Sequence, residues 1–489
     1  MGQRVKAALW PLAVGAAVAV AHIPQFLHRL VDGDEAIYGS IAVLMNMGGE
    51  LYGTGGVDNK PPGVFWVYAL AFRLFGPYQM SAVHAAGFGA MAATCVFIYL
   101  IARDLAGHNA GMLAALFYGV LTAAGNPRLL ATNTEILMML PLVGSVFFML
   151  RRSWLWAGVL VVVAGAFRQS AAANVPLLLV AVLWLEPGGD RLRAVVLLFA
   201  GAAAALLAGA AAIYLTSSVS GFWRWTVQTL TGYASLNWTP QVLWPRAKDS
   251  LVPFVLDMAV LWIAAAALTA RWRELDARTR LLALWLVVAM AGSFAGGHLS
   301  WHYFVQAMGP LAVLAAIAFV RFRTRRLVSA AAVAGILVPA TAWWIFDVTA
   351  DPLTYDFASP PPQHEAVAAY IAAHTSPEDR VFVWGDWPAL YVESDRVMAS
   401  RFPGFLRGFA RGSDLRPDNW DTAPDVWPLL EADLRAHPPA LIVDTSAAGW
   451  SDFTKYPMAG YPVLADLVAS GYHRQATVDG VVIYARNAV

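Results

Sequence analysis

Several carboxylates and a lysine stand in the polar connection that follows the first apolar run of the chain. The residues read Asp32-Gly33-Asp34-Glu35-Ala36-Ile37-Tyr38 and then Asp58-Asn59-Lys60-Pro61-Pro62-Gly63. A carboxylate can take a proton from an incoming hydroxyl or amine, and an ammonium can neutralise a phosphate that is leaving. An irregular connection between two apolar segments has to leave the hydrocarbon, because its backbone finds no hydrogen-bond partners in lipid. Charges gathered at that position fit chemistry on an anionic, membrane-held substrate.

The elements that must position these residues are apolar helices. Of 489 residues, 59% are apolar and 13% charged, with a mean hydropathy of +0.56, whereas soluble domains hold roughly 45–50% and about 25%. The composition specifies a polytopic membrane protein and gives no sign of a nucleic-acid partner. Runs near 8–27, 80–102, 110–125, 136–150, 154–168, 171–186, 194–216, 251–270, 281–297, 303–320 and 327–346 predict about eleven spans. Arg4 and Lys6 before the first run also fit a signal peptide, but the many runs behind it favour a retained first helix.

Basic residues orient the map. With a cytoplasmic N-terminus, Arg103, Arg151, Arg152, Arg191, Arg193, Arg271, Arg273, Arg278, Arg280, Arg321, Arg323, Arg325 and Arg326 fall in the short loops on one side. The longer opposite loops hold only Arg29, Lys60, Arg73, Arg128, Arg224, Arg246 and Lys248. This bias puts the acidic loop and the C-terminal region outside the cytoplasm, as expected for a multi-pass protein of a bacterial inner membrane. The single cysteine, Cys95, lies in an apolar run and allows no intrachain disulfide.

The spans stop near residue 349, dividing a membrane domain (1–349) from a C-terminal region (350–489). The first carries 23 Lys/Arg against 14 Asp/Glu, the second 10 against 18. A proline-rich linker at 359–362 opens the second, where 363–374 and 426–436 read as helices and 380–384, 440–444 and 480–485 as strands. A small α/β domain follows from that alternation. It holds no glycine-rich phosphate fingerprint, metal-ligand spacing or nucleophile motif.

Several residues in the connections carry two readings each. Asp34 fits either a helix cap or a reactive carboxylate. Lys60, held in extended chain by the prolines after it, fits a phosphate contact or an interfacial lysine that snorkels. Arg168, among small apolar neighbours, needs an anion or a set of carbonyls. Glu135 stands at a helix start, where it would complement the macrodipole or meet the acceptor. His298 and His302 are four apart, a metal-compatible spacing without a matched third ligand. The connection with Trp223, Arg224, Trp225, Tyr233 and Trp238 reads as a lid, with Arg224 and Tyr233 its polar members, or as an interfacial aromatic belt.

In their order along the chain, the Asp34-Glu35 loop, Lys60-Pro61-Pro62 leading into Phe65-Trp66-Val67-Tyr68, Thr132-Asn133-Thr134-Glu135, Arg168-Gln169 and His302-Tyr303-Phe304 with Pro310 resemble the GT-C membrane glycosyltransferases. The likeness is to the branch with the protein O-mannosyltransferases and the lipid A aminoarabinose transferase, and includes a C-terminal extracytoplasmic α/β domain. It implies a mainly α, polytopic GT-C fold and transfer of a sugar from a polyprenyl-phosphate donor, with inversion, to a glycolipid, polysaccharide or protein acceptor outside the cytoplasm. It further implies Asp34 as catalytic base, Glu35, Glu135 and Asp58 in support or at the acceptor, and Lys60, Arg168, His302 and Tyr303 at the donor phosphate. Asn59 stands where the aminoarabinose branch has Glu, so a divalent metal, though compatible with the chemistry, receives no ligands here. A lipid transporter or flippase, or a non-catalytic envelope assembly protein, are the other classes considered. The former normally lines a path with charges on several helices, often with internal repeats, and no repeat is visible.

The arginine bias makes a direct prediction. A cysteine introduced after Pro362 should be labelled by a membrane-impermeant reagent from the extracytoplasmic side. Labelling from the cytoplasm would place Asp34 on that side too and remove the site assignment.

Overall fold

The computed structural model describes residues 2–229, 238–297, 299–322, 326–354, 363–404 and 426–488. The expected runs fold as helices. In chain order the first nine used below are α1 (Gly2–Ala21), α2 (Gly33–Asn46), α3 (Gly63–Phe75), α4 (Met80–Ala106), α5 (His108–Leu121), α6 (Thr134–Leu150), α7 (Trp154–Gly165), α8 (Val175–Leu185) and α9 (Arg191–Thr216). Among the described residues, four helices are long and apolar enough to cross a membrane: α4, α9, Ala277–Phe294 and Trp301–Phe322. The remaining apolar runs are helical too, and most are shorter than a bilayer requires without tilt or helical neighbours.

The run at 251–270 departs from a straight span. Pro240–Asp257 and Ala259–Thr269 meet at a 75° bend, where Met258 leaves helical geometry at φ −103°, ψ 14°. Asp257 supplies a physical reason, since a carboxylate facing lipid is costly. At the bend its Oδ2 lies beside Gly125, whose φ of +106° and missing side chain admit both Asp257 and Trp301.

The described chain forms two compact units, each assembled from three stretches: 1–28, 84–211 and 237–350 in one, 29–83, 212–236 and 351–489 in the other. The first unit is built around the helix Val305–Phe322, which is buried without interruption from Val305 to Ala318. It packs against α5, α6, Ala259–Thr269 and Ala277–Phe294. The indole of Trp285 is fully buried there, 3.3 Å from where a side chain on Gly309 would begin. By contrast α9 exposes Leu192, Val196, Phe199, Leu206, Leu207 and Leu215. In a helix this apolar, that face is suited to lipid.

The second unit combines α2 and α3 with the α/β domain. Its sheet has the order β2-β1-β3-β5-β4, with β1 (Arg380–Trp384), β2 (Val397–Met398), β3 (Leu441–Asp444), β4 (Tyr472–Val478) and β5 (Val481–Arg486). β2 and β3 run parallel to β1, with Val381 opposite both Met398 and Leu441. β5 is antiparallel to β3 and joins β4 in a hairpin. Asp479 and Gly480 turn that hairpin with φ of 47° and 79°, matching the sign that a two-residue turn requires. Val-Phe-Val-Trp of β1 and all of β3 are buried, as expected of central strands covered on both faces. The acidic helix α2 lies against α3, β2 and the short helix Ala389–Ser394.

A buried imidazole helps close this unit. His364 Nδ1 is 2.9 Å from Glu393, and Nε2 is 2.7 Å from Asp351. Burial alone would lower its pKa, but the hydrogen bonds and charges of the two carboxylates outweigh it and hold the imidazolium to about 10. Asp351 is 38% exposed and Glu393 only 13%, so Glu393 is the less screened partner.

Because the folded pKa lies above the ordinary 6.5, this contribution is complete below about pH 6.5 and is lost as pH rises through about 10. The thermal midpoint of the wild type should therefore fall across that window. His364→Gln should begin lower and fall less. Parallel declines in both proteins would show that this ion group does not stabilise the fold.

Candidate active site

The two acidic residues that open α2 do different work. Asp32 is the extended N-cap residue, at φ −143° and ψ 149°. Asp34 and Glu35 occupy the first turn, where negative charge complements the macrodipole. Fully buried Glu35 turns back so that its Oε2 accepts the Val31 N–H at 2.8 Å, a variant of the capping box. Asp34 is not the cap. Its Oδ2 accepts from the Tyr38 hydroxyl, one turn on, at 3.3 Å.

Tyr38 belongs to the aromatic packing between α2 and α3. Its ring meets Phe65 and Tyr68 edge-on at 5.5 and 5.6 Å. Burial, followed by the charges of Asp34 and Asp58, pushes its hydroxyl far above the usual range. The group therefore stays protonated and able to donate to Asp34.

Asp58 and Lys60 form a compact turn before α3. Asp58 Oδ1 accepts the Lys60 N–H at 2.8 Å and lies 3.8 Å from Lys60 Nζ. This is a local Asx turn. The Tyr52 hydroxyl donates to the Lys60 carbonyl at 2.7 Å, and Pro62 caps α3. Burial raises the Asp58 pKa; the Lys60 charge opposes it, Asp34 adds to it, and backbone N–H groups of Lys60 and Asn59 pull it down. Asp34, Asp58 and Lys60 are thus electrostatically connected within one unit.

This turn is anchored from behind. Leu51 bridges to Ser217, and Tyr52 meets Phe222 edge-on at 5.6 Å. A Cβ on Gly221 would come within 2.1 Å of the Tyr52 carbonyl, so only glycine permits that approach. Nearby, the Arg224 guanidinium stands 4.3 Å from the centre of the Trp225 ring. Tyr233 lies outside the described residues.

A second cluster forms within the other unit. Glu135 lies in the first turn of α6 and accepts from the Thr134 hydroxyl at 2.8 Å. Arg168, extended at φ −155° and ψ 131°, precedes the short helical turn Gln169–Asn174. It forms an ion pair with Glu135, and its guanidinium carbon lies 3.7 Å from the centre of the Tyr303 ring. His302 Nε2 is 3.5 Å from Glu135 Oε1. The Tyr303 carbonyl is fixed by the Ser293 hydroxyl at 2.8 Å, and Gln306 donates to Ser170 at 3.1 Å.

The predicted residues therefore come together as two sets, Asp34–Asp58–Lys60 and Glu135–Arg168–His302–Tyr303. Glu135, itself buried, is the protein anion that pairs with the partly buried Arg168. Tyr38 and Tyr52 are additional polar groups of the first set. Four-residue spacing could have singled out Tyr38 as a partner for Asp34, whereas no local pattern marks Tyr52. Among the described residues, no three His, Cys, Asp or Glu side chains form a metal-binding group. His298 lies outside those residues.

Residues 59–214 match the family model described as dolichyl-phosphate-mannose-protein mannosyltransferase. No curated protein matches this chain. Among solved structures, ArnT from Cupriavidus metallidurans bound to undecaprenyl phosphate is 16% identical, with 98% of each chain covered and a TM-score of 0.63. The Archaeoglobus fulgidus oligosaccharyltransferase in the apo form is 10% identical over 97% of this chain and 74% of its own, with a TM-score of 0.55. The arabinofuranosyltransferase AftD from Mycobacteria is 16% identical over 97% and 41%, with a TM-score of 0.50. These are GT-C glycosyltransferases. The present chain has the GT-C membrane fold that the motif order led us to expect, including the C-terminal sheet; the comparisons do not fix the number of spans.

The ion pair of buried Glu135 with partly buried Arg168 gives a test of the second cluster. Removing one partner leaves the other charge uncompensated, a loss of about 3–5 kcal/mol. Glu135→Ala should lower the thermal midpoint in detergent markedly. The double variant Glu135→Gln, Arg168→Met should recover part of that loss. A double variant whose loss equals the sum of the losses of Glu135→Gln and Arg168→Met alone would show that the pair is not coupled.

Proposed function

We propose that this chain is an integral membrane glycosyltransferase that moves a sugar from a polyprenyl-phosphate donor to a hydroxyl or amine acceptor on the extracytoplasmic side, with inversion. The Asp34–Tyr38 contact carries the reading, because it supplies a carboxylate oriented by a hydroxyl and within electrostatic reach of Asp58, which in turn pairs with Lys60. The GT-C fold and the family match at 59–214 support the reaction class. Undecaprenyl phosphate bound to a protein of the same fold supports the donor class.

Asp34 takes the proton of the acceptor as the acceptor's oxygen or nitrogen attacks the anomeric carbon, and the polyprenyl phosphate leaves with the electrons of the broken glycosidic bond. Tyr38 orients Asp34. Glu35 holds the start of α2, and Asp58 holds Lys60. Lys60 is the cation of this unit assigned to the donor phosphate; the motif order alone gives Arg168, His302 and Tyr303 a donor-phosphate role. A guanidinium has five N–H donors, so pairing with one carboxylate leaves capacity for phosphate oxygens. Arg224 is the described member of the proposed lid. The acceptor class remains glycolipid, polysaccharide or protein.

Asp34→Asn preserves shape but removes the proton acceptor. With a radiolabelled polyprenyl-phosphate sugar, kcat should fall by about 10²–10⁴-fold, while polyprenyl phosphate binding is largely retained. Lys60→Ala should instead weaken that binding by about 1.5–3 kcal/mol, as a charge-assisted contact predicts. Full turnover by Asp34→Asn would exclude it as base, and wild-type transport without glycosidic product would replace the transferase reading with a transporter.

A further inference from the structure

The segment after β2 reaches the reactive turn through a backbone contact that the motif pattern does not reveal. Val57, one residue before Asp58, donates its N–H to the Arg401 carbonyl at 3.0 Å. Val57 is buried, at 1% exposure, so loss of this partner would leave a buried amide to be satisfied elsewhere.

Arg401 is held by one carboxylate at three points. Asp433, on the helix Trp427–Ala436, accepts the Arg401 backbone N–H at 2.9 Å, Nε at 2.8 Å and Nη2 at 2.7 Å. The side chains are only 15% and 12% exposed. A bidentate guanidinium–carboxylate pair fixes direction as well as distance. The added backbone bond extends that hold to the peptide chain of residue 401. The next residue, Phe402, meets Trp225 edge-on at 6.4 Å, beside Arg224.

We propose that Arg401 and Asp433 are positioning residues that set the Asp58–Lys60 turn through the Val57–Arg401 bond, making the α/β domain a working part of the transferase. The inference rests on the catalytic reading given above. Its mechanical link runs from Asp433 to Arg401, through the Arg401 carbonyl to Val57, and into the turn where Asp58 accepts the Lys60 N–H. Reactions that depend on orientation are sensitive to such a support, since a displacement of about 1 Å can cost on the order of 10²-fold in rate.

Asp433→Ala, Arg401→Ala, their double variant and Arg401→Lys test this link in the full-length protein. Peptide-level hydrogen exchange across 57–60 should accelerate at least about tenfold in either alanine variant, and kcat should fall about 10–100-fold with little change in polyprenyl phosphate affinity. The double variant should be no worse than a single one, while Arg401→Lys should restore part of both signals. Arg435→Ala, which removes only an exposed pair with Glu431 on the same helix, should change neither. Unchanged exchange at 57–60, additive rate losses, or faster exchange with normal turnover would overturn the proposal. Exchange requires no turnover: wild-type protein that transfers no sugar would defeat the catalytic reading, whereas exchange would still decide whether the pair holds the turn.

Discussion

A charge withdrawn from water needs a counter-charge or a set of hydrogen bonds, and burial without them is expensive. That constraint organises both halves of this protein. Arg168 meets Glu135 across separate helical segments, Glu35 receives a backbone N–H at the start of α2, and His364 lies between two carboxylates. Each partner comes from another element or from the opposite side of a turn. The residues suited to chemistry are thereby embedded in the same interactions that close the fold.

The Asp34 and Asp58 environments show how similar carboxylates can serve different purposes. Asp34 is partly exposed and touches a hydroxyl; Asp58 is buried and folded onto the next residues of its own turn. Glu35 is withdrawn further and completes the helix entrance. Proton exchange with an external molecule calls for accessibility as well as charge; on the proposed reading that task falls to Asp34, with Asp58 supporting Lys60. The aromatic packing under Tyr38 adds direction because the ring is fixed between α2 and α3.

Local sequence was informative where one element determined the outcome. Val-Phe-Val-Trp and Leu-Ile-Val-Asp announced central strands because both faces are buried. β4 escaped notice because Tyr472-His-Arg-Gln-Ala-Thr-Val478 is an edge strand with exposed polar residues; the Asp479-Gly480 turn was its available signal. The bend after Asp257 depended on a glycine far away in the chain. The Glu135–Arg168 pair was likewise invisible to helical spacing. Its members could be selected as chemically unusual, but only folding could join them. The Val57–Arg401 contact was less legible still, because a backbone amide leaves no residue-type signature.

The threefold origin of the second unit has a consequence during synthesis. Its first stretch ends at residue 83, whereas its last begins at 351. At roughly 5–20 residues per second, tens of seconds separate their emergence from the ribosome. During that interval Val57 lacks the carbonyl of Arg401, and α2 lacks the short helix Ala389–Ser394. The early segment must therefore wait in an incomplete state while most of the helical chain is inserted. Ribosomal pausing or premature termination before the sheet is made would expose an unfinished surface to quality-control proteases even if every upstream span had entered the membrane.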